Sequence, residues 1–427
     1  MKNVIKTLTE RGFFDQISSS ELEPLANRPI SCYVGFDPTA ESLHLGNLVG
    51  IIALAWFLRH GHTPIVLLGG ATGRIGDPSG KSIERPFLSE KALAHNVDVL
   101  TQFFHAILPG CKVVNNETWL GVMSMIDFLR DVGKHFRVTT MLAKESVRAR
   151  IESEQGISYT EFSYQMLQAY DFHYLHQRLG VTLQMGGSDQ WGNITAGIDY
   201  HRRVGEGTVF GATWPLIVRS DGKKFGKSEE GAIWLSPEKL SPYQFYQYLY
   251  TIPDADVIGL MKQLTFLELD EICEIEARMP SEKPNWAQAR LAEEITRFVH
   301  GEEGLQSALR ATKQMAPGKE ASLSSVALEA IALEVPNVSL ALDEVVDKKF
   351  TDVAVLSGLT PSKSEAVRLI KNGGAYLNNE RIIDPSFSID ADHLIEGKFL
   401  LLSAGKKKRL LVRIIPLPPE WHPKGLN

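Results

Sequence analysis

Lys224-Phe225-Gly226-Lys227-Ser228 places two ammonium groups three residues apart around a glycine, with a hydroxyl immediately after. Gly222 and Gly226 predict a flexible loop, and residues 220–231 carry neither helical nor strand periodicity. Such a loop suits a polyanion that is gripped during reaction and then released. Lysine-rich loops are by default solvated surface, but a second segment gives this one meaning. His44-Leu45-Gly46-Asn47 follows an Asp37-Pro38-Thr39 turn and opens an apolar helix. A helix N-terminus offers free N–H groups and partial positive charge, which attract phosphate. Gly46 lets a flat base or a phosphate approach the backbone. His44 and Thr39 can donate hydrogen bonds to phosphate oxygens.

Three further segments carry polar chemistry. Residues 69–82 read GGATGRIGDPSGKS. Gly76 and Gly80 enclose three residues where a P-loop needs four, so the P-loop register fails. What remains is a glycine-rich loop offering Asp77, Lys81 and Arg85. Tyr164, Gln168 and Asp171 stand at i, i+4 and i+7, one stripe of a helix. A stripe with neither Lys nor Glu is read as a polar groove wall rather than a solvated face. Gly186-Gly187-Ser188-Asp189-Gln190 follows an apolar strand and precedes a helix, the place of a ribose-binding acid after close-approach glycines.

The elements that must hold these groups are legible. Residues 31–36 predict a strand, 37–42 a turn, 47–60 an apolar helix and 64–68 a buried strand ending in Gly69-Gly70. That βαβ unit implies a parallel sheet with ligand groups at the carboxyl ends of its strands. Residues 181–185 predict another such strand, and about 110–180 a mostly helical insertion. Residues 236–312 are helical in pattern, and 313–345 read as a linker. A compact α+β unit follows, with a helix over 362–371, strands at 375–377 and 399–402, and an Asn378-Asn379 turn.

Composition is that of an ordinary globular protein, with 44% hydrophobic and 22% charged residues. No apolar run approaches the ~20 residues of a membrane span, and the N-terminus lacks a secretory h-region. Cys32, Cys111 and Cys273 are too widely spaced for a disulfide framework or a zinc site and suit a reducing cytoplasm. No metal-ligand cluster is expected. The net charge of −6 conceals a basic segment: residues 348–415 carry 12 Lys/Arg against 7 Asp/Glu. An acidic body with a basic appendage points to a polyanionic partner.

Together these motifs resemble the class I aminoacyl-tRNA synthetases, and specifically the bacterial-type tyrosyl-tRNA synthetases. His44 to Asn47 is similar to the HIGH motif and Lys224 to Ser228 to the KMSKS loop in its KFGKS form. YVGFDPTAESLHLGN, GGATGRIGDPSGK, EFSYQMLQAYDF and GGSDQWGNITAG resemble that family's blocks, in order, from about residue 5 to 415. The resemblance implies an α/β fold: a Rossmann-like parallel-sheet catalytic domain over 1–232, with the helical insertion forming a dimer interface. An α-helical domain over 233–320, a linker over 321–345 and a small α+β RNA-binding domain over 346–427 would follow. It implies a homodimeric cytoplasmic tyrosine–tRNA ligase acting on L-tyrosine, ATP and tRNA(Tyr), with Mg²⁺ accompanying ATP and no tightly bound cofactor.

By the same resemblance, Tyr33 and Asp171 bind the substrate phenol, and Tyr164, Gln168 and Asp77 its α-ammonium. Gln190 lies near the substrate carboxylate. Gly35, Asp37, Gly46, Asn47, Gly187 and Asp189 line the nucleotide, with Asp189 on the ribose. Thr39 and His44 serve the γ-phosphate. Lys81, Arg85, Lys224, Lys227 and Ser228 close on pyrophosphate. Arg202 and Arg203 would contact the acceptor stem, and Lys363, Arg368, Lys371 and residues 406–409 RNA phosphates. Two positions depart from the pattern. Asn47 replaces the second histidine of HIGH, and Val34 stands where some members have cysteine. A tryptophanyl enzyme is the nearest alternative, but an indole offers one donor and no acceptor to the Tyr33–Asp171 pair. A non-enzymatic RNA-binding helper on this scaffold would not need His44, Lys224, Lys227, Asp77 and Asp189. A small-molecule nucleotidyltransferase would leave the basic appendage without a role.

Overall fold

The computed structural model describes residues 3–81, 87–154, 156–205, 207–220, 222, 225–228, 231–314, 325, 328–329, 332, 335–405 and 408–415. They fall into two compact units: Met1–Ser236 with Ile252–Ile295, and Pro237–Thr251 with Thr296–Asn427.

The first unit is built on a six-stranded sheet in the order β1-β6-β5-β2-β3-β4. Its strands are β1 Gln16–Ile17, β2 Ser31–Phe36, β3 Thr63–Leu68, β4 Lys112–Asn115, β5 Val181–Gly187 and β6 Phe210–Trp214. All neighbours run parallel except β1, which is antiparallel to β6. The chain leaves β2 toward β3 and β4 and later returns to lay β5 on the other side of β2. That reversal is a topological switch point, where a crevice opens outside the carboxyl ends of the strands. The helix Leu48–Arg59 crosses from β2 to β3 and is buried from Leu48 to Phe57, as expected of a core helix. The helix Tyr159–Leu179 begins where Ser158 accepts from the Glu161 N–H and stops at Gly180, whose φ of 64° is left-handed. Within the insertion read as mostly helical over about 110–180, Lys112–Asn115 is a strand that the reading did not place. The short run KVVN lacks the length that marks a strand, and it gains its pairing from β3.

In the second unit, β9 Asn337–Ala341, β11 Ala375–Leu377, β12 Glu380–Arg381, β14 Phe399–Ala404 and β15 Lys408–Ile415 form a sheet in the order β12-β11-β14-β15-β9. β10 Lys348–Lys349 and β13 Ser388–Ile389 pair separately. Alternation along β14 sorts its side chains between two cores. Leu400 and Leu402 pack with Phe350, Val353, Ala366 and Ile370 of the two helices that follow β10. Phe399 and Leu401 pack with Tyr243, Ala311 and Leu411. Asn337–Ala341 corrects the linker reading: it is a strand parallel to β15. Pro336, immediately before the five-residue run, disguised the strand, whose partner lies some 74 residues away.

Candidate active site

A cavity of about 550 Å³ opens at the switch point. Tyr33, Gly35, Asp37, Thr39, His44, Gly46, Asn47, Asp77, Lys81, Tyr164, Gln168, Asp171, Gly187, Asp189 and Gln190 all line it. Residues spread over more than 150 positions thus meet because β2, β3 and β5 end together and the helix Tyr159–Leu179 lays one stripe across them.

At one end lie Tyr33 and Asp171, 0% and 1% exposed. Trp119 Nε1 donates to Asp171 Oδ1 at 2.7 Å, and Asn116 Nδ2 donates to Oδ2 at 2.9 Å. Burial pushes the Asp171 carboxyl up to about 7, while the Asn116 and Trp119 hydrogen bonds pull it back. Burial, with the Asp171 charge beside it, holds the Tyr33 phenol well above its ordinary value. The Tyr33 hydroxyl finds no hydrogen-bond partner among the described residues. Buried polar groups are almost always paired, so this phenol and the carboxylate beside it await a polar ligand that can both donate and accept.

A second cluster surrounds Asp77 and Asp37. Gln190 Nε2 donates to Asp77 Oδ2 at 2.6 Å. The Ser79 N–H donates to Asp77 Oδ1 at 3.0 Å. Asp37, read as a nucleotide residue, accepts from Tyr164 Oη at 3.0 Å and Thr72 Oγ1 at 2.9 Å. Burial, then the Asp37 charge, raises the Tyr164 phenol well above its ordinary value. Asp37, Asp77 and Asp171 all bear electrostatically on the Tyr164 phenol, and such a gathering of carboxylates favours a cationic group nearby.

The third region holds the His44–Asn47 helix start and the segment around Gly226. His44 is the N-cap of a helical turn over Leu45–Asn47 that leads into Leu48–Arg59. His44 Nδ1 accepts from the Gly46 N–H at 3.1 Å, which leaves Nε2 as the protonated nitrogen of the neutral ring. Asn47 Oδ1 accepts from the His44 N–H at 3.1 Å, so its Nδ2 is the half able to reach a ligand oxygen. Gly226, at φ 80°, lies so close that a Cβ there would come 2.9 Å from the Gly46 nitrogen. The Leu45 N–H donates to Ile233 O at 2.7 Å, and the Leu235 N–H to Leu43 O at 2.9 Å. The Ile233 N–H donates in turn to Gly226 O at 2.9 Å, so the segment 233–235 bridges the histidine-bearing turn to Gly226. Lys227–Ser228 (β7) pairs as a short strand with Gly231–Ala232 (β8), a local order the periodicity did not predict. Lys224, Arg85 and Lys406 lie outside the described residues. Asp189 is raised by burial and by Asp77, with Lys81 opposing. A Cβ on Gly187 would come 2.6 Å from Asp189 Oδ1, so a side chain there would push the Asp189 carboxylate aside.

Arg202 and Arg203 stand at the C-terminal end of the helix Trp191–Val204, outside the cavity lining. Arg202 pairs with Asp199 at 2.9 Å, and Arg203 donates to His135 O. In the second unit, Lys363 pairs with Asp352 at 2.7 Å and Arg368 with Glu365 at 3.2 Å, all on the surface. Lys371 is exposed on the same helix. Sequence reading missed Thr72, Asn116, Trp119 and Asn193, which touch the assigned residues from behind. It also missed the apolar wall of Trp214, Leu216, Phe225 and Trp234. The Asn116–Trp119 pair was readable only once β4 was recognised as a strand whose end enters the crevice.

A parallel sheet with a His-x-Gly helix start at its switch point, joined to a Lys-x-x-Lys-Ser segment, defines a class I aminoacyl-tRNA synthetase. Residues 25–316 match the family "tRNA synthetases class I (W and Y)", and residues 327–412 match "Tyrosine--tRNA ligase SYY-like C-terminal domain". The chain belongs to the tyrosyl-tRNA synthetases within that class I family. It is 51% identical to a tyrosine–tRNA ligase of Protochlamydia amoebophila (strain UWE25), over 97% of this chain and 100% of the relative. It is 52% identical to a chloroplastic/mitochondrial tyrosine–tRNA ligase of Arabidopsis thaliana, over 96% of this chain and 84% of the relative. A C-terminally truncated mitochondrial tyrosyl-tRNA synthetase of Aspergillus nidulans superimposes with a TM-score of 0.65 at 27% identity, covering 74% of this chain and 94% of that one.

Proposed function

We propose that this chain makes tyrosyl-tRNA in two steps within the cavity. A tyrosine carboxylate oxygen attacks the α-phosphorus of ATP, the bond to the β-phosphate oxygen breaks, and pyrophosphate leaves. A hydroxyl of the terminal adenosine of tRNA(Tyr) then attacks the acyl carbon, and AMP leaves. The tyrosine carboxylate is ionised at neutral pH, so the first step needs no general base. Its demands are positioning and stabilisation of anionic charge. The observation that carries the reading is the buried Tyr33–Asp171 pair, a phenol without a partner beside a carboxylate.

With the phenol there, the substrate α-ammonium reaches Asp77, Gln168 and Tyr164, and its carboxylate lies toward Gln190. The nucleotide runs along Gly35, Asp37, Gly46, Asn47, Gly187 and Asp189. His44 and Thr39 donate to the γ-phosphate, and Lys81, Arg85, Lys224, Lys227 and Ser228 meet the departing pyrophosphate. Mg²⁺ enters with ATP as part of the substrate. ATP–pyrophosphate exchange with a panel of amino acids tests the reading. Tyrosine should support exchange at least a hundredfold above tryptophan and phenylalanine; equal or better exchange with tryptophan would overturn it.

Two partners complete the proposal. Val122, Met125, Ile126 and Val138 are large apolar side chains between 59% and 82% exposed on the helical insertion. Large apolar side chains this exposed on one insertion are what an interface would cover, and in this reading a second copy of the chain covers them. Sedimentation of Ile126→Glu at micromolar concentration should then give a monomer. Arg202, Arg203, Lys363, Arg368 and Lys371 meet tRNA phosphates. Lys363 and Arg368 exchange their acid partners for phosphate, so tRNA affinity should fall steeply with salt. Among the described residues no helix is long and apolar enough to cross a membrane. The three cysteines are unbridged, which fits a reducing compartment such as the cytoplasm.

A further inference from the structure

Asn193 sits in the first turn of the helix Trp191–Val204, 5% exposed and behind the cavity lining. Its Nδ2 is within hydrogen-bond distance of four acceptors. These are Gln168 Oε1 at 3.1 Å, Ser79 Oγ at 3.2 Å, Asp77 Oδ1 at 3.3 Å and Gln190 Oε1 at 3.3 Å. An amide nitrogen carries two hydrogens, so it cannot serve four acceptors at once. Such a centre can change partners without leaving a buried donor unpaired. Asp77, Gln168 and Gln190 are the side chains assigned above to the substrate's α-ammonium and carboxylate.

We infer that Asn193 is a positioning residue that gathers Asp77, Gln168 and Gln190 into an amino-acid head-group site and acts as the pivot on which Gln190 turns when substrate enters. The inference rests on the tyrosine-activating reading. Before substrate arrives, Gln190 Nε2 occupies Asp77 Oδ2 at 2.6 Å. In the proposed reading that oxygen is the acceptor for the substrate ammonium. An arriving ammonium brings three donors and takes Asp77 Oδ2. Gln190 Nε2 is displaced, and the substrate carboxylate is the acceptor next to it. Gln190 Oε1 stays on Asn193 Nδ2 throughout, so the amide turns about a fixed end. Each donor lost by Asp77 is replaced, and each donor released finds an acceptor; no buried charge is left unmatched at any stage. Asn193 touches no ligand in this scheme and acts only through the three residues it holds.

The test separates the head group from the ring. Tyramine carries the phenol and the ammonium; 4-ethylphenol carries the phenol alone. Their inhibition constants against tyrosine-dependent ATP–pyrophosphate exchange are measured on the full-length wild type, Asn193→Ala and Asn193→Ser. Asn193→Ala should raise the tyrosine KM and the tyramine inhibition constant about tenfold, the loss of one hydrogen bond to a charged group. The 4-ethylphenol constant should stay within twofold. Asn193→Ser, which keeps a donor, should recover part of the tyramine loss, and it carries the test if the alanine variant does not fold. Equal weakening of tyramine and 4-ethylphenol, or no weakening of either, overturns the inference. Failure of the wild type to select tyrosine would instead count against the functional reading on which the inference rests.

Discussion

Trp119 Nε1 donates to Asp171 Oδ1 at 2.7 Å, at the closed end of the cavity where no other described group reaches that oxygen. This contact does more than orient a carboxylate. Burial alone favours the protonated acid, and the indole and Asn116 donors bring it back to about 7. Asp171 therefore titrates near neutrality, and its ionised form is the stronger acceptor for a substrate phenol O–H. The kcat/KM for tyrosine in pyrophosphate exchange should rise with pH through about 7. Trp119→Phe removes one donor to the ionised form, so the midpoint should move upward. At pH 7 the variant should lose roughly tenfold to a hundredfold in kcat/KM. A profile superimposable on wild type would show that the indole only packs.

The same group predicts the direction of a stability change. The native carboxyl holds its proton up to about 7, whereas an unfolded Asp releases it near the ordinary 3.8. Between those values the native state binds more protons than the unfolded state. Asp171 thus contributes stability below about 4 that is lost as pH rises through about 7. Asp171→Asn should abolish this component. Urea unfolding at pH 5 and pH 8 should give a smaller difference for the variant than for wild type.

Tyr33 offers the converse test, since its hydroxyl costs the empty protein something. A buried hydroxyl without a partner carries its full desolvation penalty. Tyr33→Phe should leave the melting temperature unchanged or raise it. Exchange with tyrosine should nonetheless fall about tenfold in kcat/KM, and discrimination against phenylalanine should narrow. A variant both destabilised and unaltered in specificity would contradict a ligand-facing role for the phenol.

The scaffold was legible where local pattern and tertiary demand coincide. Residues 31–36 and 64–68 are buried parallel strands whose apolar runs announce them, and the Tyr164–Gln168–Asp171 stripe needs only helical period to be placed. β4 and β9 were not legible, because each is a short segment whose strand character comes from a distant partner: β3 for one and β15 for the other. For the same reason Asn116 and Trp119 escaped notice, since they reach Asp171 only because β4 carries the following turn into the crevice. Asn193 lay within a segment already singled out, yet its neighbours Asp77 and Gln168 are 116 and 25 residues away in sequence. Sequence spacing has no means of showing that meeting.

Gly226 is where the lysine-bearing segment touches the histidine-bearing one. Its φ of 80° is left-handed, and a Cβ would come 2.9 Å from the Gly46 nitrogen and 3.3 Å from Leu45 Cβ. Gly226→Ala must either shift the segment or strain it by ~1 kcal/mol or more. In the proposed reading tyrosine is held by Tyr33, Asp171, Asp77 and Gln168, none of them part of this contact. The expected signature is therefore a fall in the rate of adenylate formation of at least tenfold, with the tyrosine dissociation constant unchanged. Stopped-flow fluorescence would read both quantities, and a loss confined to tyrosine affinity would refute the arrangement.

Removal of the C-terminal sheet should separate the two steps of the reaction, and the position of the cut matters. A chain ending at residue 345 keeps β9 but loses β15, its only strand partner among the described residues. Its backbone would then present an unpaired strand edge, a template for association between copies. Loss of Phe399, Leu401 and Leu411 also uncovers Tyr243 and Ala311. A chain ending at Gln314 sheds the orphan strand, though it still exposes that apolar face. Both chains should retain pyrophosphate exchange within about twofold, because every described residue lining the cavity precedes Ser236. Both should lose tRNA charging by a hundredfold or more, because they lack Lys363, Arg368 and Lys371. Light scattering should show the 345 chain aggregating sooner than the 314 chain. Undiminished charging by either would remove the C-terminal unit from tRNA recognition, and equal aggregation would show that the exposed apolar face, rather than the strand edge, governs association.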